Sequence, residues 1–150
     1  MKKDSILPPK QPDTLSDKFQ RGDLMAEACP SRTVLKHMTS RWGVLVLIAL
    51  QGPTTRRFSE LRRLIGGVSE RMLAQTLQWL EADGLVNRVA FDVVPPHVEY
   101  SLTPLGQQAA EKVRDLADWI ETSLPHIAQR WAKQPNQEGA QEPAVSADLR

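Results

Sequence analysis

The sequence predicts a mainly α fold with a small β-hairpin wing, the winged helix-turn-helix arrangement, and three observations lead to it. Two short amphipathic helices flank the glycine turn Gly66-Gly67. Extended segments on either side of Pro95-Pro96 follow directly, as a wing would. A long helix whose apolar residues recur at intervals of four and three closes the folded region.

The chain has 150 residues, 41% of them apolar, which suits one ordinary core and predicts a single folded unit over about 19–132. Residues 1–18, with Pro8, Pro9 and Pro12, and residues 133–150, with Pro135, Gly139 and Pro143, have no sustained apolar period and are expected to be flexible arms. The longest apolar run, Trp42 to Leu50, is far short of the ~20 residues a membrane span needs. The first ten residues lack the apolar stretch of a signal peptide, so a cytosolic protein with no membrane partner is expected. A single cysteine, Cys29, rules out an internal disulfide. His37, His97 and His126 are too widely spaced for a local zinc signature, so neither metal nor other cofactor is expected.

The elements follow in order. A first helix spans about Pro30 to Thr39, with proline in its first turn and Val34, Leu35 and Met38 on one side. A second, Arg41 to Gln51, is apolar nearly all round and must be buried, and Gly52-Pro53 stops it. Thr54 to Arg57 is extended. Ser59 can cap a third helix to Ile65, and Ser69 a fourth from Glu70 to Asp83, closed by Gly84. Leu85, Val89 and Phe91 suggest one strand; His97 to Leu102 gives another, with Val98, Tyr100 and Leu102 facing one way. Thr103-Pro104 starts the last helix, whose stripe is Leu105, Ala109, Val113, Leu116, Ile120, Leu124, Ile127 and Trp131. Pro125 predicts a kink or a new start there, capped by Ser123.

The net charge of +1 hides a local field. Bases outnumber acids between Arg32 and Arg88, while Glu111, Asp115, Asp118 and Glu121 acidify the last helix. On a wheel of about 100° per residue, Arg71, Gln75 and Gln78 of the fourth helix lie opposite Leu73, Thr76, Leu77 and Leu80. Arginine can donate two bonds to guanine and glutamine can pair bidentately with adenine, so these three are the expected base-reading residues on double-stranded DNA. An arbitrary amphipathic helix carries such residues merely to solvate its outer face. Here a preceding basic helix with Arg62 and Arg63, a helix start at Ser69 able to receive a phosphate, and a following wing agree with one docking geometry. Arg56 and Arg57 are expected to add phosphate contacts. The wing offers only Arg88 and, when protonated, His97.

The apolar stripe of the last helix exceeds what one small core can cover, so its outer half predicts a homodimer. Two copies would present paired fourth helices to half-sites about one DNA turn apart on a pseudo-palindromic operator.

Five stretches taken in order, Cys29-Pro30, Arg41-Trp42, Phe58 to Arg63, Gly67 to Gln75 and Val94 to Thr103, resemble the HxlR-type winged-helix transcriptional regulators over about Cys29 to Ile120. The resemblance implies a bacterial or archaeal homodimer joined through the first and last helices, here Val34, Leu35, Leu116, Ile120, Leu124 and Ile127. Several members sense electrophiles or oxidants through a cysteine just before the first helix, the place of Cys29. A thiol at a helix N-terminus beside Arg32 is a better thiolate than a free cysteine; the other reading of Cys29 is a small, inert, buried apolar residue. Lacking a second cysteine, a disulfide would join Cys29 to its symmetry mate or to a small thiol. His97 stands where the family commonly has arginine. Two further classes remain beside a DNA-binding regulator: a winged-helix protein-interaction module acting through the acidic last helix, and a thiol enzyme on Cys29, for which no motif ties a histidine, aspartate or asparagine to the thiol.

Overall fold

A computed structural model describes residues 23–134; the expected arm at 1–18 and all of the expected tail beyond Gln134 lie outside them. Two compact units are present, one reaching Val113 and the other beginning at Arg114.

The first unit contains α1 (Pro30–Thr39), α2 (Arg41–Ala49), β1 (Arg56–Arg57), α3 (Phe58–Leu64), α4 (Glu70–Ala82), β2 (Val86–Phe91), β3 (His97–Leu102) and the start of α5 (Pro104–Ala132). Its core joins Val46, Leu47 and Leu50 to Leu61, to Leu73, Leu77 and Leu80 of α4, and to Val86, Tyr100 and Leu102 of the sheet. Ala109, Ala110 and Val113 close it from α5.

Several ends are set by local chemistry. Ser69 caps α4, its Oγ accepting from Met72 N–H at 3.1 Å. Thr103 caps α5, accepting from Gly106 N–H at 2.9 Å while donating to the Gly84 carbonyl at 2.6 Å. Gly106 lies so near β2 that a Cβ there would collide with the Leu85 carbonyl. The turn after α2 is tied to α5 by Gln107, whose amide accepts from Gly52 N–H at 2.9 Å and donates to Gly52 O at 2.7 Å. Gly67, between α3 and α4, has φ +85°, which a side chain rarely tolerates.

Some expectations need correction. Helix α2 ends at Ala49, two residues before Gln51. Helix α3 begins at Phe58 with Arg57 at its N-cap and no side-chain cap, because the chain enters it straight from β1; Ser59 is inside it. The extended segment is a third strand: β1 pairs antiparallel with β3, Arg56 opposite Tyr100 and Arg57 opposite Glu99, giving the order β1-β3-β2. Helix α5 runs unbroken through Pro125, so Ser123 caps nothing. Glu121 and Pro125 are both exposed, and a carbonyl robbed of its ladder donor there is satisfied by water.

Candidate nucleic-acid interface

Burial divides α4 along its axis. Leu73, Thr76, Leu77 and Leu80 are buried, and the Thr76 hydroxyl donates to the Met72 carbonyl at 2.8 Å. Arg71 and Gln78 are exposed and Gln75 is half-buried between them. None of the three side chains is engaged in a hydrogen bond or ion pair among the described residues, so their donors and acceptors face outward unspent.

At the N-terminal end of α4, exposed Ser69 and Glu70 meet α3. Arg62 and Arg63 line one depression with Phe58, Ser59 and Glu70. Arg62 Nη1 lies 2.6 Å from Glu70 Oε1, with both side chains well exposed. Such a pair contributes only ~0.2–1 kcal/mol, little enough for a phosphate to displace. At the other end, Gln78 and Arg88 line a single hollow of about 360 Å³ with Ala74, Leu77, Glu81 and Tyr100. The wing cation and the reading helix are thus brought together, a juxtaposition that sequence spacing does not reveal.

The outer face of the sheet is less basic than the sequence suggested. Residues opposite each other in a ladder share a face; Arg57 stands opposite Glu99, and His97 Nε2 lies 3.5 Å from Glu99 Oε1. His97 also stacks on Phe91, ring centroids 4.6 Å apart. Arg57 and His97 therefore share a groove with Phe58 and Val94, but Glu99 offsets their charge. Arg56 has turned away: its Nε donates to the Ala49 carbonyl at 2.9 Å, satisfying the C-terminal end of α2.

Cys29 is the N-cap residue of α1, 7% exposed, with an extended backbone and no side-chain cap bond. On α1, Val34 and Leu35 are exposed. In the second unit, Leu116, Trp119 and Ile120 are 46%, 61% and 43% exposed, followed by Leu124 and a half-buried Ile127. Trp119 was not singled out from the sequence, although its i+3 spacing from Leu116 marks it. Among the described residues, no helix is long and apolar enough to cross a membrane, and no cluster of metal-ligating side chains occurs.

Residues 37–128 match the HxlR-like helix-turn-helix family. Over 114 residues the chain is 67% identical to the uncharacterised HTH-type transcriptional regulator YtfH of Escherichia coli strain K12, covering 76% of this chain and 90% of that protein. The solved structure of a transcriptional regulator, ytfH from Salmonella typhimurium, is similar with TM-score 0.72 and 64% identity, over 75% of this chain and all of that one. The redox regulator HypR in its reduced form is similar with TM-score 0.60 and 32% identity, over 67% of this chain and 98% of that one. These relatives are regulators and not enzymes. A winged helix-turn-helix with this sequence is a transcriptional regulator, and the chain belongs to the HxlR-like helix-turn-helix family.

Proposed function

We propose that the protein regulates transcription as a homodimer that reads a pseudo-palindromic operator in double-stranded DNA. The carrying observation is the unspent polar face of α4, Arg71, Gln75 and Gln78, on a helix whose opposite face is fixed in the core. In this reading Arg71 bonds a guanine edge, and Gln75 and Gln78 read adenines or adjacent bases. Arg57, Arg62, Arg63, Arg88 and the exposed start of α4 at Ser69 hold phosphates. The apolar faces of α1 (Val34, Leu35) and of α5 beyond Val113 supply the contacts between copies; left in water, faces of this kind mark interaction surfaces.

Fluorescence anisotropy on duplex DNA across a salt series tests this. Each neutralised phosphate contributes about −0.9 to the slope of log affinity against log salt, so four arginines in each of two copies predict a slope of about −7. Binding that is indifferent to salt contradicts phosphate recognition and favours the protein-interaction reading. Cys29, at the N-cap of α1, is proposed to respond to an oxidant or electrophile; the similarity to HypR supports this. Repeating the series with a thiol oxidant should alter the affinity of the wild type and leave Cys29→Ser unchanged. An equal response of both proteins removes Cys29 from the mechanism.

A further inference from the structure

The reading helix is held at the end remote from Ser69 by a side-chain cluster that phosphate and base contacts do not use. The ring of His37, in the last turn of α1, lies flat against Trp79 of α4, with centroids 5.0 Å apart and planes 9° from parallel. His37 Nδ1 is 2.6 Å from Asp83 Oδ2, and the two side chains are only 12% and 13% exposed. The carboxylate can only accept, so Nδ1 carries the hydrogen and donates it. Asp83 is the C-cap residue of α4. An anion at that end opposes the helix dipole by ~0.3–1 kcal/mol; Asp83 is tolerable there because His37 meets it.

His37 is itself fixed. Its carbonyl accepts from the Ser40 hydroxyl at 3.0 Å, and Ser40 Oγ in turn accepts from Gly43 N–H at 3.1 Å. Gly43 approaches so closely that a Cβ would collide with the His37 carbonyl. The ring therefore cannot drift relative to the junction of α1 and α2.

We propose that His37 is a positioning residue for operator recognition. It pins the C-terminal end of α4 to α1, the helix whose exposed Val34–Leu35 face is assigned to the contact between copies, and so sets the separation and tilt at which two reading helices meet their half-sites. This rests on the DNA-binding dimer proposed above. The leverage is geometric: Arg71 lies about 18 Å along the helix from Asp83 at 1.5 Å per residue, so a tilt of ~5° about the clamp moves it by ~1.5 Å. Hydrogen bonds to a base edge do not survive a shift of that size.

The experiment uses the full chain and the duplex it selects from random DNA, together with versions carrying one base pair more or fewer between the half-sites. Wild type, His37→Ala and the volume-conserving Asp83→Asn are compared by anisotropy, with light scattering to verify the dimer. Both variants are expected to stay dimeric and keep the wild-type salt slope, because no phosphate contact has changed. Their preference for the native spacing over the altered ones should fall about tenfold, the equivalent of ~1.4 kcal/mol. Equal weakening on all three duplexes, or an unchanged preference, overturns the proposal, as does failure of both variants to fold, since the cluster then serves only the core. Wild-type protein that selects no duplex refutes instead the DNA-binding reading, and that arm is measured first.

Discussion

Replacing Leu116 and Ile120 together by glutamate is expected to turn a dimer into a monomer and to lower affinity for the full operator by roughly 10²- to 10⁴-fold, the range that linking two binding modules commonly contributes. Both side chains are more than two-fifths exposed within one copy, beside the still more exposed Trp119 and with Leu124 one turn further on. Four apolar residues at intervals of three and four form one face of the helix, and water disfavours them unless something covers them. Two carboxylates in a face buried between copies would have to be desolvated without a partner, which costs several kcal/mol per group. Neither residue belongs to the core of the first unit, so the variant should melt without loss of that core. Sedimentation equilibrium reads the association, and anisotropy reads the affinity. A doubly substituted protein that remains dimeric would remove this face from the interface; a monomer that binds as tightly as the wild type would show that one copy suffices.

Arg71→Ala should cost ~1–3 kcal/mol on the preferred operator, about 5- to 150-fold, and should relax the choice of base at one position of each half-site. The residue stands in the first turn of α4, exposed, with no ion pair among the described residues, so its removal leaves the folded chain intact. Arg63→Ala is the control. It too is exposed, but beside α3, and should weaken every sequence alike while making the salt slope shallower by about 1. If the two variants lose affinity and specificity in the same proportions, α4 is not the base-reading element.

The parts of this picture that were legible in the sequence are those governed by neighbours along the chain. The start of α1 at Cys29-Pro30 and the caps at Ser69 and Thr103 depend on residues within one turn, as does the buried stripe Leu73, Thr76, Leu77 and Leu80. The parts that were not legible depend on partners far along the chain. Strand β1 is two residues long and exists because β3, more than forty residues away, offers it a ladder. Arg56 has the composition of a phosphate ligand, yet its use depends on where the last carbonyls of α2 end up. Glu99 was read as a solvent-facing strand residue; only the ladder register places it between Arg57 and His97. The His37–Asp83 contact spans 46 residues, and no periodicity records it. Gln75 lies on the polar side of the wheel but is half-buried, since a wheel does not include the elements packed beside the helix.

Selection of bound duplexes from random DNA, followed by sequencing, tests the central claim most directly. Two α4 helices related by a two-fold axis predict an inverted pair of half-sites whose centres are about 10 base pairs apart, one turn of the duplex. Recovery of no common sequence, or of a lone unpaired half-site, would contradict it.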